Sequence, residues 1–162
     1  MRIITDIDYV CGANPAWKLD LYLPDLSEKP NRVFLYLHGG GLEGGDKSDA
    51  AGWAESLTCQ GIALASANYR MYPGAHFPEF IQDCAQAVSW LVHSAGAYLD
   101  AERLFVGGSS AGGYATANAT APELRGRSGR KRGSPSRNTR SIKFASATTT
   151  GSLPTATARS GA

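Results

Sequence analysis

The 162 residues carry a net charge of +2 and 43% hydrophobic residues, which suits one domain built around one core. No apolar run is long enough for a transmembrane helix, and Met1–Asp6 lacks the apolar stretch of a secretion signal. Cys11, Cys59 and Cys84 are odd in number and scattered. That excludes a disulfide framework and a cysteine metal site, and it points to a reducing cytoplasm.

Residues 2–10 and 17–23 read as two strands joined by a turn at Asn14-Pro15. In the second, Trp17, Leu19, Leu21 and Leu23 alternate with Lys18, Asp20 and Tyr22, the period of a half-buried strand. Pro24 to Asn31 is a polar connection. Val33-Phe34-Leu35-Tyr36-Leu37 is apolar throughout, as a strand covered on both faces requires. Residues 48–59 predict a helix with Trp53, Ala54 and Leu57 inward and Gly61 just past its end. Residues 62–67 predict another buried strand. Residues 78–94 form the best helix of the chain, with Pro78 in its first turn and Phe80, Ile81, Cys84, Val88, Leu91 and Val92 as an apolar stripe. Glu79 and Asp83 lie one turn apart on it and read as a solvated or capping face. Leu104 to Val106 is a strand, and residues 111–120 begin the next helix. Strands alternating with helices after a leading hairpin predict an α/β fold, a mostly parallel sheet with flanking helices.

Two glycine motifs stand at strand ends. His38-Gly39-Gly40-Gly41 follows the strand at 33–37. Gly108-Ser109-Ser110-Ala111-Gly112 follows the strand at 104–106 and opens a helix. The second is G-x-S-x-G in the strand–turn–helix context of a nucleophile elbow. Its glycines make room for a sharp turn, which lifts the serine hydroxyl toward the N–H groups of the helix start. The first is the H-G-G-G loop, whose bare backbone leaves N–H groups free to meet negative charge on an acyl oxygen. Together they predict Ser110 as nucleophile and the N–H groups of Gly39, Gly40 and Ala111 as oxyanion donors. His38, Gly41, Gly108 and Gly112 shape the two loops. Gly44-Gly45-Asp46-Lys47 lacks the pattern of a phosphate-binding loop.

Residues 17–124 resemble the N-terminal half of an α/β-hydrolase, close to the hormone-sensitive-lipase-like and feruloyl-esterase-like esterases and lipases. The likeness rests on Asp20-Leu21-Tyr22-Leu23-Pro24, on His38-Gly39-Gly40-Gly41 with Gly45-Asp46-Lys47, on Asn68-Tyr69-Arg70 with Phe77-Pro78 and Asp83-Cys84, and on Gly107 to Gly113. Leu42 and Ser109 depart from it, standing where an aromatic residue and Asp or His are frequent. The resemblance implies a carboxylic-ester hydrolase acting on small-molecule esters, with no metal and no organic cofactor. It also implies a chain order of Ser, then Asp or Glu, then His. Here that order breaks off. After Ser110 there is no Asp and no His, and Glu123 is the only acid. His38, His76 and His93 all precede the elbow, so no triad acid or base is found and the chain is expected to be inactive or nearly so.

Composition changes sharply at residue 124. Residues 1–124 carry seven basic and fourteen acidic residues; residues 125–162 carry nine basic residues, no acid, and only Ile142, Phe144 and Leu153 as large apolar side chains. Residues 1–124 therefore read as a partial α/β-hydrolase domain cut off after the elbow. Residues 125–162 read as a basic, low-complexity, disordered tail, as a shifted reading frame would produce. The sheet would then end on an open edge, which favours oligomers or aggregates. The alternative function is a non-catalytic hydrolase remnant that binds partners through its basic tail. Nucleic acid is a poor fit, because no aromatic side chains interleave the basic ones to stack on bases. Brief trypsin treatment is expected to cut within residues 125–140 before it touches 1–120. Equal protection of both segments, followed by mass spectrometry of the fragments, would reject the tail.

Overall fold

The alternation over residues 17–23 predicts a half-buried strand, yet Leu19 to Leu23 are all buried, because Tyr22 packs with Ala54 and Leu64 and Lys47 pairs with Asp20. The computed structural model describes residues 1–25, 29–30, 32–119 and 141–144. Strand β1 (Arg2–Asp8) pairs antiparallel with β2 (Lys18–Leu23), with an irregularity in register between Ile4 and Ile7. Strand β3 (Arg32–Leu37) is followed by a 3₁₀ turn at Lys47–Ala50 and helix α1 (Ala51–Thr58), so the helix expected at 48–59 is split in two. Strand β4 (Ala63–Ala67), helix α2 (Glu79–His93), strand β5 (Arg103–Gly108) and helix α3 (Ala111–Ala119) follow. Each lies within a few residues of its expected span. Among the described residues no helix is long and apolar enough to cross a membrane.

Ser141–Phe144 forms strand β6, parallel to β5. Four residues of the segment read from composition as a tail are therefore part of the sheet, and β5 is not the open edge expected of it. The rest of that segment lies outside the described residues. The sheet order is β1-β2-β4-β3-β5-β6, antiparallel across β1, β2 and β4 and parallel from β4 onward.

Helices α2 and α3 cover one face. Leu19, Leu21, Leu35, Leu37, Leu104 and Val106 from the strands pack there with Phe80, Ile81, Leu91 and Ala115. Each fully buried leucine contributes about 1.5–3 kcal/mol. Helix α1 covers the other face through Ala54, against Tyr22, Tyr36 and Leu64. Trp53, expected inward, is 38% exposed and meets Tyr36 edge-on at 4.6 Å. A helix of two turns buries only a narrow stripe, and the small side chains Ala54 and Thr58 fill it. Cys84 is buried, while Cys11 and Cys59 are exposed.

Candidate active site

The site follows from which strands are neighbours. β4 lies on one side of β3 and β5 on the other, so the chain after β3 turns one way and the chain after β4 crosses back. Open α/β sheets bind ligands outside the carboxyl ends of strands at such a reversal. The parallel register pairs Leu37 with Gly108, so β3 and β5 end at the same level. Their continuations, His38-Gly39 and Ser109-Ser110, therefore emerge side by side. Two motifs 70 residues apart in the chain become one structure. The Ser109 N–H donates to Leu37 O at 3.3 Å. A Cβ placed on Gly39 would lie 3.0 Å from Ser109 O and 3.5 Å from the Ser110 Cβ.

Ser110 is exposed and holds φ at +50°, in the left-handed region. A non-glycine residue there costs of order 1–3 kcal/mol and persists only where its surroundings over-determine it. Close packing does so here. A Cβ on Gly108 would come 2.5 Å from both Leu37 O and the Gly112 carbonyl carbon, and one on Gly112 would run into Leu37 O and His38 O. The elbow sits directly on the end of β3 with no space for side chains between them. From Ser110 the chain enters α3, with Gly112 N–H donating to Ser109 O at 2.8 Å and Tyr114 N–H to Ser110 O at 3.1 Å. Ala111 opens the helix, so its N–H is among the first-turn donors that have no intrahelical acceptor.

The glycine loop is a tight ring. Glu43 and Gly44 both donate to Gly40 O at 3.1 Å. Gly40 has φ +107°, and Gly45 has φ +99°, where a Cβ would run into Gly39 O and the His38 ring. Among the described residues the N–H groups of Gly39 and Gly40 donate to no backbone acceptor. His38 is fully buried and stacks on Tyr69 at 4.5 Å with the rings 10° apart. The Tyr69 hydroxyl donates to His38 O at 2.7 Å. His38 Nδ1 lies 2.8 Å from Gly39 O, which makes it the protonated nitrogen, and Nε2 is buried with no partner among the described residues.

No histidine is brought to Ser110. His38 is occupied with Gly39. His76 is exposed, its backbone N–H donating to Glu79 Oε2 at 2.9 Å and its ring edge-on to Tyr72 at 5.4 Å. His93 Nδ1 sits 2.9 Å from Ser89 O at the far end of α2.

Two charged clusters frame the site, and pattern reading missed both. Arg70 grips Asp83 with two hydrogen bonds of 2.8 and 2.9 Å, reaches Glu79 at 3.3 Å and lies over the Trp17 ring at 5.3 Å. Asp83 is buried, which corrects its reading as a solvated face. A buried carboxylate needs a paired charge, and Arg70 supplies it. The second cluster joins Lys47 to Asp20 and Asp6, and Asp46 to Asn68. Neither has a local signal, since Asp20 falls on the polar side of its strand's alternation and Asp83 reads as solvated, and only the fold buries them.

Burial works against the Asp46 carboxylate, yet hydrogen bonds from Asn68 and Ser48 and the Lys47 charge outweigh it and hold its pKa down at about 2. A carboxyl depressed on folding stabilises the native state above its ordinary value of 3.8, and that contribution fades as pH falls through about 2. Urea midpoints measured between pH 5 and pH 2 are therefore expected to fall more for the parent chain than for Asp46→Asn. Parallel curves would contradict the assignment.

The mixed sheet with its flanking helices is the α/β-hydrolase fold. The chain belongs to the BD-FAE family of α/β-hydrolase esterases, whose profile matches residues 19–144. It is similar to tuliposide A-converting enzyme 2, chloroplastic, of Tulipa gesneriana, 32% identical over 59% of this chain and 29% of that one. A protein of Oryza sativa subsp. japonica named "Probable isoprenylcysteine alpha-carbonyl methylesterase ICME" is 31% identical over 67% of this chain and 26% of its own length. The structure of esterase B from Lactobacillus rhamnosis superposes with a TM-score of 0.69 at 27% identity, covering 76% of this chain and 41% of that one. The chain thus spans between a quarter and a third of the length of these curated relatives.

Proposed function

We propose that this chain carries the nucleophile and oxyanion donors of a carboxylic-ester hydrolase. The observation that carries this is Ser110, exposed at φ +50° with Gly39 packed against it at the shared end of β3 and β5. Ser110 Oγ attacks the acyl carbon of a small ester. The N–H groups of Gly39, Gly40 and Ala111 receive the oxyanion; its collapse breaks the ester C–O bond and expels the alcohol with the proton given up by Ser110, and water then releases the acid from the acyl-serine. Family membership and the esterase neighbours support the reaction class. Nothing in the site calls for a metal or an organic cofactor.

A serine hydroxyl needs a base to take its proton and an acid to orient that base. No Asp or His follows Ser110 in this sequence; His38 Nδ1 bonds Gly39 O, the His76 ring packs edge-on against Tyr72, and His93 Nδ1 bonds Ser89 O. The chain by itself is accordingly a near-inactive hydrolase. The test is ester turnover by the chain and by its Ser110→Ala form, each alone and joined to a hydrolase-type C-terminal half that supplies acid and histidine.

A further inference from the structure

Behind the glycine ring, away from Ser110, the chain is tied down by side chains that the chemistry above does not use. Directly after Gly45, Asp46 caps the 3₁₀ turn, accepting from Ser48 N–H at 2.8 Å through Oδ1 and from Asn68 Nδ2 at 2.9 Å through Oδ2. Asn68 Oδ1 in turn accepts from Lys47 N–H at 2.6 Å, so this one amide side chain grips both residues that leave the loop. Asn68 follows β4, and its own N–H donates to Lys18 O of β2 at 2.9 Å. The Lys47 ammonium then reaches across to both Asp20 oxygens, at 2.8 and 2.9 Å, and to Asp6 at 3.1 Å. Asp20 is buried on β2, with its Oδ1 also accepting from Asp6 N–H at 2.9 Å. Only Lys47 offers it an opposite charge among its bonded partners.

We propose that Lys47, clamped by Asp20 and seated by Asn68 and Asp46, is the positioning residue of the glycine loop, fixing the loop's exit to β2 and β4 so that the Gly39 and Gly40 N–H groups stay aimed beside Ser110. The proposal rests on the oxyanion reading of those N–H groups. Its physical basis is the size of the ring. Gly39 meets Gly45 and Gly40 meets Gly44, so a shift at residue 45 moves the donors directly. The loop bears four residues at φ above +60°, Gly40, Gly41, Leu42 and Gly45, and has no strand ladder or helix of its own. Tyr72 N–H holds its middle at Leu42 O, at 2.8 Å, and the Tyr69 hydroxyl holds its entry at His38 O, which leaves its exit to the clamp. A donor displaced by about 1 Å loses on the order of 10²-fold in rate. Lys47 touches no reacting atom in this arrangement.

The test uses the full chain with p-nitrophenyl acetate and two readouts. The first is amide hydrogen exchange across residues 38–46, referred to β5 as an internal standard. The second is the weak saturable turnover that oxyanion donors and binding alone sustain. Lys47→Met is expected to speed exchange of 38–46 about tenfold with β5 unchanged, and to lower the limiting rate about tenfold with less than a twofold change in half-saturation. Lys47→Arg, which keeps the charge against Asp20, should return both to within about threefold of the parent. Unchanged loop exchange in Lys47→Met overturns the proposal whatever the rate does. A loosened loop with an unchanged rate upholds the clamp and instead defeats the oxyanion reading. Should Lys47→Met loosen β5 as well, Asp20→Asn, which leaves an acceptor facing the ammonium, takes its place, and parental loop exchange in that variant overturns the proposal equally.

Discussion

Short-chain aryl esters will be turned over by this chain only at the residual rate that oxyanion donors and binding sustain, on the order of 10³-fold over water, and joining a hydrolase-type C-terminal half in frame will raise turnover by roughly 10⁶-fold. The size of the effect follows from what is present and what is lacking. Ser110 is exposed at φ +50° beside Gly39, and the Gly39 and Gly40 N–H groups donate to no backbone acceptor among the described residues. The Ser110 proton has no base placed to take it: Nδ1 of His38 is held by Gly39 O and its Nε2 is buried, the His76 ring packs edge-on against Tyr72, and His93 Nδ1 bonds Ser89 O. Without base and acid, serine hydrolases keep only the part of their rate that oxyanion donors and binding supply. In the joined chain Ser110→Ala is expected to abolish the gain; in the chain alone it should change little. Robust turnover by the chain alone that vanishes in Ser110→Ala would mean that an upstream base reaches the hydroxyl, with exposed His76 the first suspect. Activity of the joined chain that survives Ser110→Ala would defeat the assignment of the elbow.

Placing one methyl group at residue 112 should destabilise the fold severely. A Cβ on Gly112 would run into Leu37 O and come 2.5 Å from His38 O. Both obstacles are backbone of the central strand, so no side-chain rotation relieves the clash. Either the elbow lifts off β3 or the sheet distorts. Gly112→Ala is therefore expected to cost about 3 kcal/mol or more, the upper end for overpacking a core. That is a large share of the stability of a domain this size. Gly52→Ala is the control, since a Cβ there meets nothing within 4 Å and the position lies in a helix. It should be neutral or stabilise by up to about 1 kcal/mol. Urea denaturation of both variants checks the pair, and equal midpoints would show that the elbow is not packed as described.

The sequence by itself determined the elements and the two motifs. β3, β4 and β5 were legible because strands covered on both faces must be apolar almost throughout, and 33–37, 62–67 and 104–106 are. Helix α2 was legible because one stripe of Phe80, Ile81, Cys84 and Leu91 is all that a surface helix can bury, and those four residues are buried. The glycines at 39–41 and at 108 and 112 announced turns that exclude side chains, and with them the serine between. Other features depended on which segments became neighbours. The register that sets Leu37 opposite Gly108 joins residues 71 positions apart, and no local periodicity encodes it. The Lys47–Asp20 and Arg70–Asp83 pairs were hidden for the same reason. An acid on a strand or helix looks solvated until the fold buries it, and only then does the cost of an unpaired charge require a partner. Ser141–Phe144 looked like tail, because its surroundings are basic and poor in apolar residues. A strand added to an existing edge takes its stability from the backbone ladder of its neighbour, here β5, and that ladder exists only once the sheet has formed.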